Sequence, residues 1–204
     1  MNSNARLGRW AIASAVAVMF LTAPAHAGII ASFQTVTANL GSTGNAFDVL
    51  LTNTGASAVA VDGFIFQITT TDLDITFTGT NISTTTPYIF AGDSLLGPNI
   101  NTDGPGQAMD GGDFSLSNTN LVAAGATVGL GHVLFDVSPA AMTGTFELDF
   151  VPAGTSLTDN VGQPVTIDSL VAGELTIQNT PEPASAFLLG SALIGLAGLK
   201  FRCK

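Results

Sequence analysis

Apolar and polar side chains alternate along most of the middle of this 204-residue chain. Phe146, Leu148 and Phe150, for example, fall on one face, and the polar residues between them fall on the other. A period of two places every second side chain on the same face of a β-strand. No window of helical length between the two chain ends shows a 3.6-residue period, so the middle of the chain is predicted to fold as strands.

The same alternation recurs along the chain, with turn-forming residues between the segments. Besides 145–151, the alternating segments are 45–52, 64–69, 73–78, 132–137, 164–168 and 174–178. About eight to ten short strands joined by such turns predict an all-β fold, a single antiparallel β-sandwich. Residues 28–178 form this predicted ectodomain, and their number is sufficient for one hydrophobic core.

Charge is distributed very unevenly. The chain has 5 Lys and Arg against 15 Asp and Glu, and every cation lies in the first nine or the last five residues. All the acids except Glu182 lie between Asp48 and Glu174. A domain without a cation has nothing to neutralise phosphate groups, so nucleic acid is excluded as a partner. Schiff-base lysines and arginine-clamped phosphoryl transfer are excluded by the same composition.

The first 27 residues have the layout of a secretory signal peptide. A short basic start precedes the apolar run 10–21, and Ala25 and Ala27 supply the small residues that signal peptidase accepts. The apolar run is too short to span a bilayer core of about 30 Å as a helix. We therefore expect signal peptidase to cut after Ala27, so that the mature chain begins at Gly28.

The segment 179–204 joins a proline-flanked acid, an apolar run and a basic tail. In order, these are Pro181, Glu182 and Pro183, then the run 184–199, then the tail 200–204 with Lys200, Arg202 and Lys204. A helix over the apolar run spans about 24 Å, and snorkelling of the terminal cations makes up the rest of a bilayer core. The cations predict a transmembrane helix with a cytoplasmic C-terminus and an ectodomain outside the cytoplasm.

These three parts together resemble the PEP-CTERM sorting signal of Gram-negative bacteria that make extracellular polysaccharide. In that family exosortase, an integral-membrane enzyme, recognises the signal and cuts near the Pro-Glu-Pro triplet. The resemblance implies that this protein is an exosortase substrate that passes transiently through the inner membrane to the cell surface or the extracellular matrix. In the alternative, the segment is an ordinary C-terminal membrane anchor preceded by a proline-rich hinge. The two interpretations share the same topology and differ only in whether the helix is removed.

The later part of the ectodomain has its own order of turns and strands. A glycine-containing turn precedes the apolar strand 128–137, an alternating strand follows at 144–151, and the segment 172–177 closes the domain. This order, over residues 121–178, is similar to that of cohesin-like modules, a sandwich superfamily shared with some carbohydrate-binding modules. Such domains bind proteins or glycans. The resemblance implies a noncatalytic sandwich whose partner is another envelope protein or extracellular polysaccharide, and no binding residue carries over.

Few side chains of the ectodomain suit catalysis, and we predict that it is not an enzyme. His132 is its only histidine, no Gly-x-Ser-x-Gly elbow accompanies it, and the alternation around it predicts a solvent-facing side chain. Two alternatives stay open. Paired carboxylates would suit an acid-pair glycoside hydrolase. Tyr88, with Phe90 or Phe114, would be the aromatic platform of a glycan-binding module.

One glycine-rich stretch, residues 101–113, is a candidate metal site. It contains Asp103, Asp110 and Asp113, and calcium accepts oxygen ligands in flexible geometry. The stretch does not match the EF-hand pattern, and Asp-Gly pairs also form ordinary turns. Calcium is therefore the only cofactor that the sequence indicates.

Overall fold

The computed structural model describes residues 28–179, which form two packed β-sheets. The predicted signal peptide lies outside these residues, as does all of the predicted sorting signal except Asn179. The one helical element of the described residues is a 3₁₀ turn at Pro152–Gly154. The all-β fold predicted from the alternation is therefore confirmed. Within residues 28–179, no helix is long and apolar enough to cross a membrane.

Fifteen strands make up the described part of the chain. They are β1 (Ile29–Phe33), β2 (Val36–Asn39), β3 (Asn45–Asn53), β4 (Val59–Ala60), β5 (Gly63–Thr70), β6 (Ile75–Asn81), β7 (Asn99–Thr102), β8 (Ala108–Phe114), β9 (Leu121–Val122), β10 (Thr127–Val137), β11 (Gly144–Phe150), β12 (Ser156–Thr158), β13 (Pro164–Val165), β14 (Ser169–Leu170) and β15 (Gly173–Gln178). Every alternating segment of the sequence overlaps one of these strands.

The strands form two large sheets. The first has the order β14-β1-β3-β10-β6, and the second has the order β13-β12-β5-β11-β15-β2, with β8 and then β7 on the other edge of β5. Strands β4 and β9 form a separate ribbon. The predicted purely antiparallel pairing is corrected in two places, because β14 pairs in parallel with β1 and β15 pairs in parallel with β2. Alternation specifies the face of a side chain and does not specify strand direction.

The core between the sheets is rich in phenylalanine. Phe47 is completely buried, and the rings of Phe33, Phe77 and Phe135 surround it at centroid distances of 5.8, 6.3 and 5.7 Å. Aromatic pairs at such distances stabilise a fold beyond the area they bury. The predicted inward position of Phe47 in β3 is confirmed.

The stretch predicted as a glycine-rich loop is partly a strand. Residues 108–114 form β8, which pairs with β5 along its whole length. A Cβ at Gly111 would overlap the ring of Phe66, and a Cβ at Gly112 would lie 2.8 Å from the carbonyl oxygen of Phe64. The two glycines therefore allow β8 to approach β5 closely, although in the sequence they look like a turn.

The chain enters and leaves the sandwich at opposite ends, which we call the N-pole and the C-pole. At the N-pole, the carbonyl of Gly28 accepts a hydrogen bond from the N–H of Thr54, just after β3. At the C-pole, the carbonyl of Gln178 accepts one from the N–H of Leu40, a few residues before β3. The two chain ends of the described domain are therefore separated by the length of β3.

Candidate functional site

An open groove of about 290 Å³ lies on the outer face of the second sheet, near the N-pole. Ile65 of β5, Phe114 of β8 and Leu96 from the β6–β7 connection line it, and their side chains are 45%, 46% and 70% exposed. Asn101 and Asp110 also line the groove. Grouped apolar side chains with this exposure and a polar rim are typical of contact sites.

A buried carboxylate holds the walls of this groove in place. Asp113 is fully buried, and its Oδ2 accepts hydrogen bonds from the hydroxyls of Tyr88 at 2.7 Å and Ser94 at 2.6 Å. Its Oδ1 accepts hydrogen bonds from the N–H groups of Leu96 at 3.2 Å and Phe114 at 2.8 Å. Burial and the Asp113 carboxylate raise the pKa of Tyr88, so the phenol remains a donor at neutral pH. One side chain thus fixes two apolar members of the groove.

The structure separates the three aspartates that the sequence grouped as calcium ligands. Asp113 faces the interior from β8, and Asp110, three residues earlier, lines the groove on the outer face. Asp103 lies in the turn before β8 and accepts a hydrogen bond from the N–H of Ala108 at 3.1 Å. Residues three apart on a strand point to opposite faces. Within residues 28–179, no group of three or more His, Cys, Asp or Glu side chains is arranged to hold a metal ion.

A calcium titration tests the metal site that the sequence indicated. On this geometry we expect calcium at constant ionic strength to leave the Tm of the domain unchanged, because the three carboxylates do not converge. Thermal unfolding with and without millimolar calcium measures this. A rise in Tm with calcium that Asp110→Asn abolishes would show that calcium does bind at this stretch. Asp110 is suited to the test because its side chain is on the outer face.

A second buried carboxylate lies on the outer face of the first sheet. Asp48 of β3 is fully buried, and its Oδ2 accepts hydrogen bonds from the N–H and the hydroxyl of Thr85 at 2.7 and 2.6 Å. Its Oδ1 lies 2.7 Å from Nδ1 of His132 in the neighbouring β10. Burial raises the pKa of Asp48, but the hydrogen bonds from His132 and Thr85 outweigh it and hold the pKa below its usual value. The carboxylate is therefore ionised, and His132 donates from Nδ1.

The Asp48–His132 pair joins the β6–β7 connection to the first sheet, because Thr85 of that connection donates to Asp48. Within residues 28–179, no nucleophilic side chain completes a catalytic triad with this pair. The hydroxyl of Thr85 donates to Asp48 and not to the imidazole, and no residue of the range 28–179 hydrogen-bonds Nε2 of His132. A Ser-His-Asp hydrolase needs a hydroxyl on that nitrogen. His132 is 23% exposed, which agrees with its predicted outward position, but the alternation gave no sign of its buried partner.

Two acids lie side by side on the outer face of the second sheet. Glu147 of β11 and Glu174 of β15 are directly opposite each other in the antiparallel ladder, and both line a shallow hollow of about 330 Å³. Retaining glycoside hydrolases place two carboxyl groups about 5–5.5 Å apart. Residues directly opposite in a ladder have Cβ atoms about 4.5–5.5 Å apart, so this is the pair on which the hydrolase alternative depends. Half-buried Phe146 is the only aromatic residue that lines this hollow.

Glu174→Lys is expected to stabilise the domain by up to about 1 kcal/mol, because it replaces a repulsive cross-strand pair with an attractive one. The measurement is thermal unfolding at low salt. Glu174→Gln is the matched control and should give a smaller gain, since it removes repulsion without adding attraction. Both gains should shrink at high salt through screening. Unchanged Tm values in both variants would show that Glu147 and Glu174 do not interact.

The aromatic platform predicted for glycan binding is not assembled. Of the three candidate residues only Phe114 is exposed, whereas Tyr88 and Phe90 are buried and contact each other edge to face at a centroid distance of 6.3 Å. The prediction fails because the connection between β6 and β7 runs beside β10, where Tyr88 forms a β-bridge with Gly129. The N–H of Ile89 donates to the carbonyl of Gly129, and the N–H of Gly129 donates to the carbonyl of Pro87. These two hydrogen bonds tie the connection to β10, so its aromatic residues join the core.

No protein-family model matches the chain, and no curated protein matches its sequence. Solved structures do match. A cohesin from Clostridium acetobutylicum is similar at a TM-score of 0.56 and 18% identity, over 76% of this chain and 94% of that chain. A non-cellulosomal cohesin from the hyperthermophilic archaeon Archaeoglobus fulgidus is similar at a TM-score of 0.54 and 16% identity, over 79% of this chain and 98% of that chain. A type I cohesin from Clostridium thermocellum was solved as a cohesin–dockerin complex. It is similar at a TM-score of 0.56 and 11% identity, over 76% of this chain and 97% of that chain.

These similarities define the class of fold as a cohesin-like β-sandwich. They confirm the resemblance that the order of segments suggested for residues 121–178, and they extend it to most of the described domain. At such low identity the similarity concerns the fold alone. The groove and the two buried carboxylates therefore have to be interpreted from their own geometry.

Proposed function

We propose that this protein is a noncatalytic, exported module that binds another envelope protein through the groove of Ile65, Leu96 and Phe114. The supporting observation is that these apolar side chains are exposed together and that Asp113 fixes two of them, Leu96 and Phe114, through their backbone N–H groups. A cohesin of similar fold has been solved in complex with a dockerin, so the fold is compatible with a protein partner.

The charge of the domain defines the chemistry of this partner. Asp110 lines the groove, and the domain offers no Lys or Arg. Complementary charge speeds association and selects partners. The proposed partner therefore presents an apolar anchor side chain surrounded by cations, and its association is faster at low salt.

The chain ends supply the export and sorting part of the proposal. Signal peptidase removes residues 1–27, the helix 184–199 holds the protein in the inner membrane, and exosortase then cuts near the triplet Pro181-Glu182-Pro183. The ectodomain so released reaches the cell surface or the extracellular matrix. The first support is the order of the three C-terminal parts. The second is that the triplet begins two residues after Asn179, the last residue of the described domain, so the cut would fall outside the sandwich.

Intact mass tests the sorting proposal. The mature protein is expected to begin at Gly28 and to end between Pro181 and Ala184 in cells that contain the sorting enzyme, and to extend to Lys204 in cells that lack it. Glu182→Ala should also leave the chain extending to Lys204. A surface-exposed form that retains Lys204 in the presence of the enzyme would contradict removal of the helix.

The groove is tested by substitution of its exposed side chains. The partner is first identified by cross-linking in cells and then purified, and its affinity is measured directly. Ile65→Ser combined with Phe114→Ser is expected to weaken binding by more than about tenfold. Val161→Ser is the control, because Val161 is 71% exposed and lies in the β12–β13 turn outside the groove. Equal affinities of the wild type and the groove variant would exclude the groove as the interface.

The adjacent acids Glu147 and Glu174 favour one alternative, an acid-pair glycoside hydrolase. Release of reducing sugar from extracellular polysaccharide, lost in both Glu147→Gln and Glu174→Gln, would replace the interaction proposal. Retention on a polysaccharide column without turnover would instead indicate a glycan-binding module. Neither result is expected from a protein-binding module.

A further inference from the structure

The C-pole exposes apolar side chains beside the place where the chain leaves the domain. Leu73 and Met142 are 80% and 75% exposed, more than any other large apolar side chain of residues 28–179. They come from different connections, yet both line one shallow hollow of about 340 Å³ together with Phe146. Large apolar side chains grouped in this way at one end of a domain indicate a contact surface.

Backbone hydrogen bonds tie together the loops that carry this surface. The N–H of Ser138 donates to the carbonyl of Asp74 at 2.8 Å, which joins the connection before β6 to the one after β10. The N–H of Val137 donates to the carbonyl of Ser42 at 2.9 Å, which adds the connection before β3. The hollow is therefore formed within the folded domain and does not depend on a partner for its shape.

The hollow lies close to the predicted processing site. Met142 is two residues before Gly144, and Gly144 pairs with Ile177, next to the last strand residue, Gln178. Only the segment 179–183 separates Gln178 from the apolar run of the sorting signal. A fully extended segment of this length spans no more than about 20 Å. An enzyme that cuts near the triplet therefore works within reach of the C-pole.

The surroundings of the hollow are acidic. Asp72 and Asp74 line it, and Glu147 and Glu174 line the adjacent hollow, which shares Phe146. No Lys or Arg occurs in the domain to balance them. Anionic lipid headgroups would be repelled by these carboxylates, whereas a protein surface with an apolar recess and flanking cations would be attracted.

We infer that the C-pole, with Leu73 and Met142 at its centre, is a docking surface for the membrane enzyme that processes the C-terminal signal. The inference rests on the proposed sorting function and adds a second contact to it. The enzyme would bind the folded C-pole as well as the Pro-Glu-Pro triplet. Docking of the folded end would restrict cleavage to chains whose ectodomain has folded outside the cytoplasm.

The test is the rate of processing of the full chain in cells that contain the sorting enzyme. Leu73→Ser combined with Met142→Ser is expected to slow the conversion of the anchored to the shortened form by about tenfold in a pulse-chase experiment, as removal of two interface anchors does. Val161→Ser is the matched control, because Val161 is 71% exposed and its turn lies at the N-pole. The Tm of each released domain verifies that folding is unchanged.

The outcomes separate this inference from the sorting proposal. If the wild type is not processed, the sorting proposal fails. If the wild type is processed and the double variant is processed at the same rate, the docking inference is refuted and the sorting proposal is retained. Equal slowing by Val161→Ser would also refute it. Flotation of the released form with vesicles of phosphatidylethanolamine and phosphatidylglycerol, lost in the double variant, would assign the surface to lipid and overturn the inference.

Discussion

Asp113→Ala is expected to lower the free energy of unfolding by about 3–4 kcal/mol, because it leaves several buried donors without an acceptor. The hydroxyl of Tyr88 and the N–H groups of Leu96 and Phe114 all donate to this carboxylate. Urea unfolding at pH 7 measures the loss. Tyr88 is the only tyrosine of the chain, so its alkaline titration reports on the same site, and its raised pKa should return towards the ordinary value.

Two substitutions serve as controls for Asp113→Ala. Asp113→Asn keeps the shape and part of the hydrogen bonding, so a smaller loss is expected. Asp110→Ala lies on the same strand but faces the groove, and a change within about 0.5 kcal/mol is expected for a surface position. Equal losses for Asp110→Ala and Asp113→Ala would contradict the assignment of Asp113 as the residue that holds the groove. Because Leu96 and Phe114 lose their shared acceptor, Asp113→Ala should also weaken partner binding.

Asp48→Ala is expected to cost about 2–3 kcal/mol at pH 7, because the paired donors of Thr85 and His132 lose a buried, ionised acceptor. The folded pKa of Asp48 lies below its unfolded value. Its contribution to stability is therefore complete above the unfolded pKa of about 3.9 and is lost as pH falls through the folded value. Chemical unfolding of both proteins between pH 7 and pH 2.5 should show their stabilities converging below about pH 4.

The Thr85 hydroxyl provides the control for the Asp48 experiment. Thr85→Val removes one donor to Asp48 and leaves the backbone N–H and His132 in place, so a loss of about 1 kcal/mol is expected. A stability difference between the wild type and Asp48→Ala that persists undiminished to pH 2.5 would show that the ionised carboxylate is not its cause.

Alternation in the sequence was sufficient to predict the sandwich but not its connections. The faces of β3 and β11 follow from local sequence, because a side chain's face depends only on its position in the strand. The parallel pairing of β15 with β2 depends on residues far apart in the chain, and nothing in either segment encodes it. Strand β8 was missed for a different reason, since its two glycines allow close packing against β5 but resemble a turn signal.

The candidate site was harder to predict than the fold. Asp113 looked like a loop ligand, and its burial becomes visible only when the β6–β7 connection folds over β8 and brings Tyr88 to it. Asp48 and His132 are 84 residues apart and meet through strand register. The composition did contain one signal for the Asp48–His132 pair. In a domain with no Lys or Arg, its only histidine is the one side chain that can become a cation beside a buried acid.

The position of β15 between β11 and β2 has a mechanical consequence. Strand β15 is the last of the described domain, and both of its edges are hydrogen-bonded, to β11 and to β2. A pull at Gln178 along the strand, opposed by a load near the N-pole, would slide β15 past both neighbours and stretch the hydrogen bonds of two ladders together. A peeling force would break the same bonds one after another. The domain is therefore expected to bear tension along its long axis as a single unit.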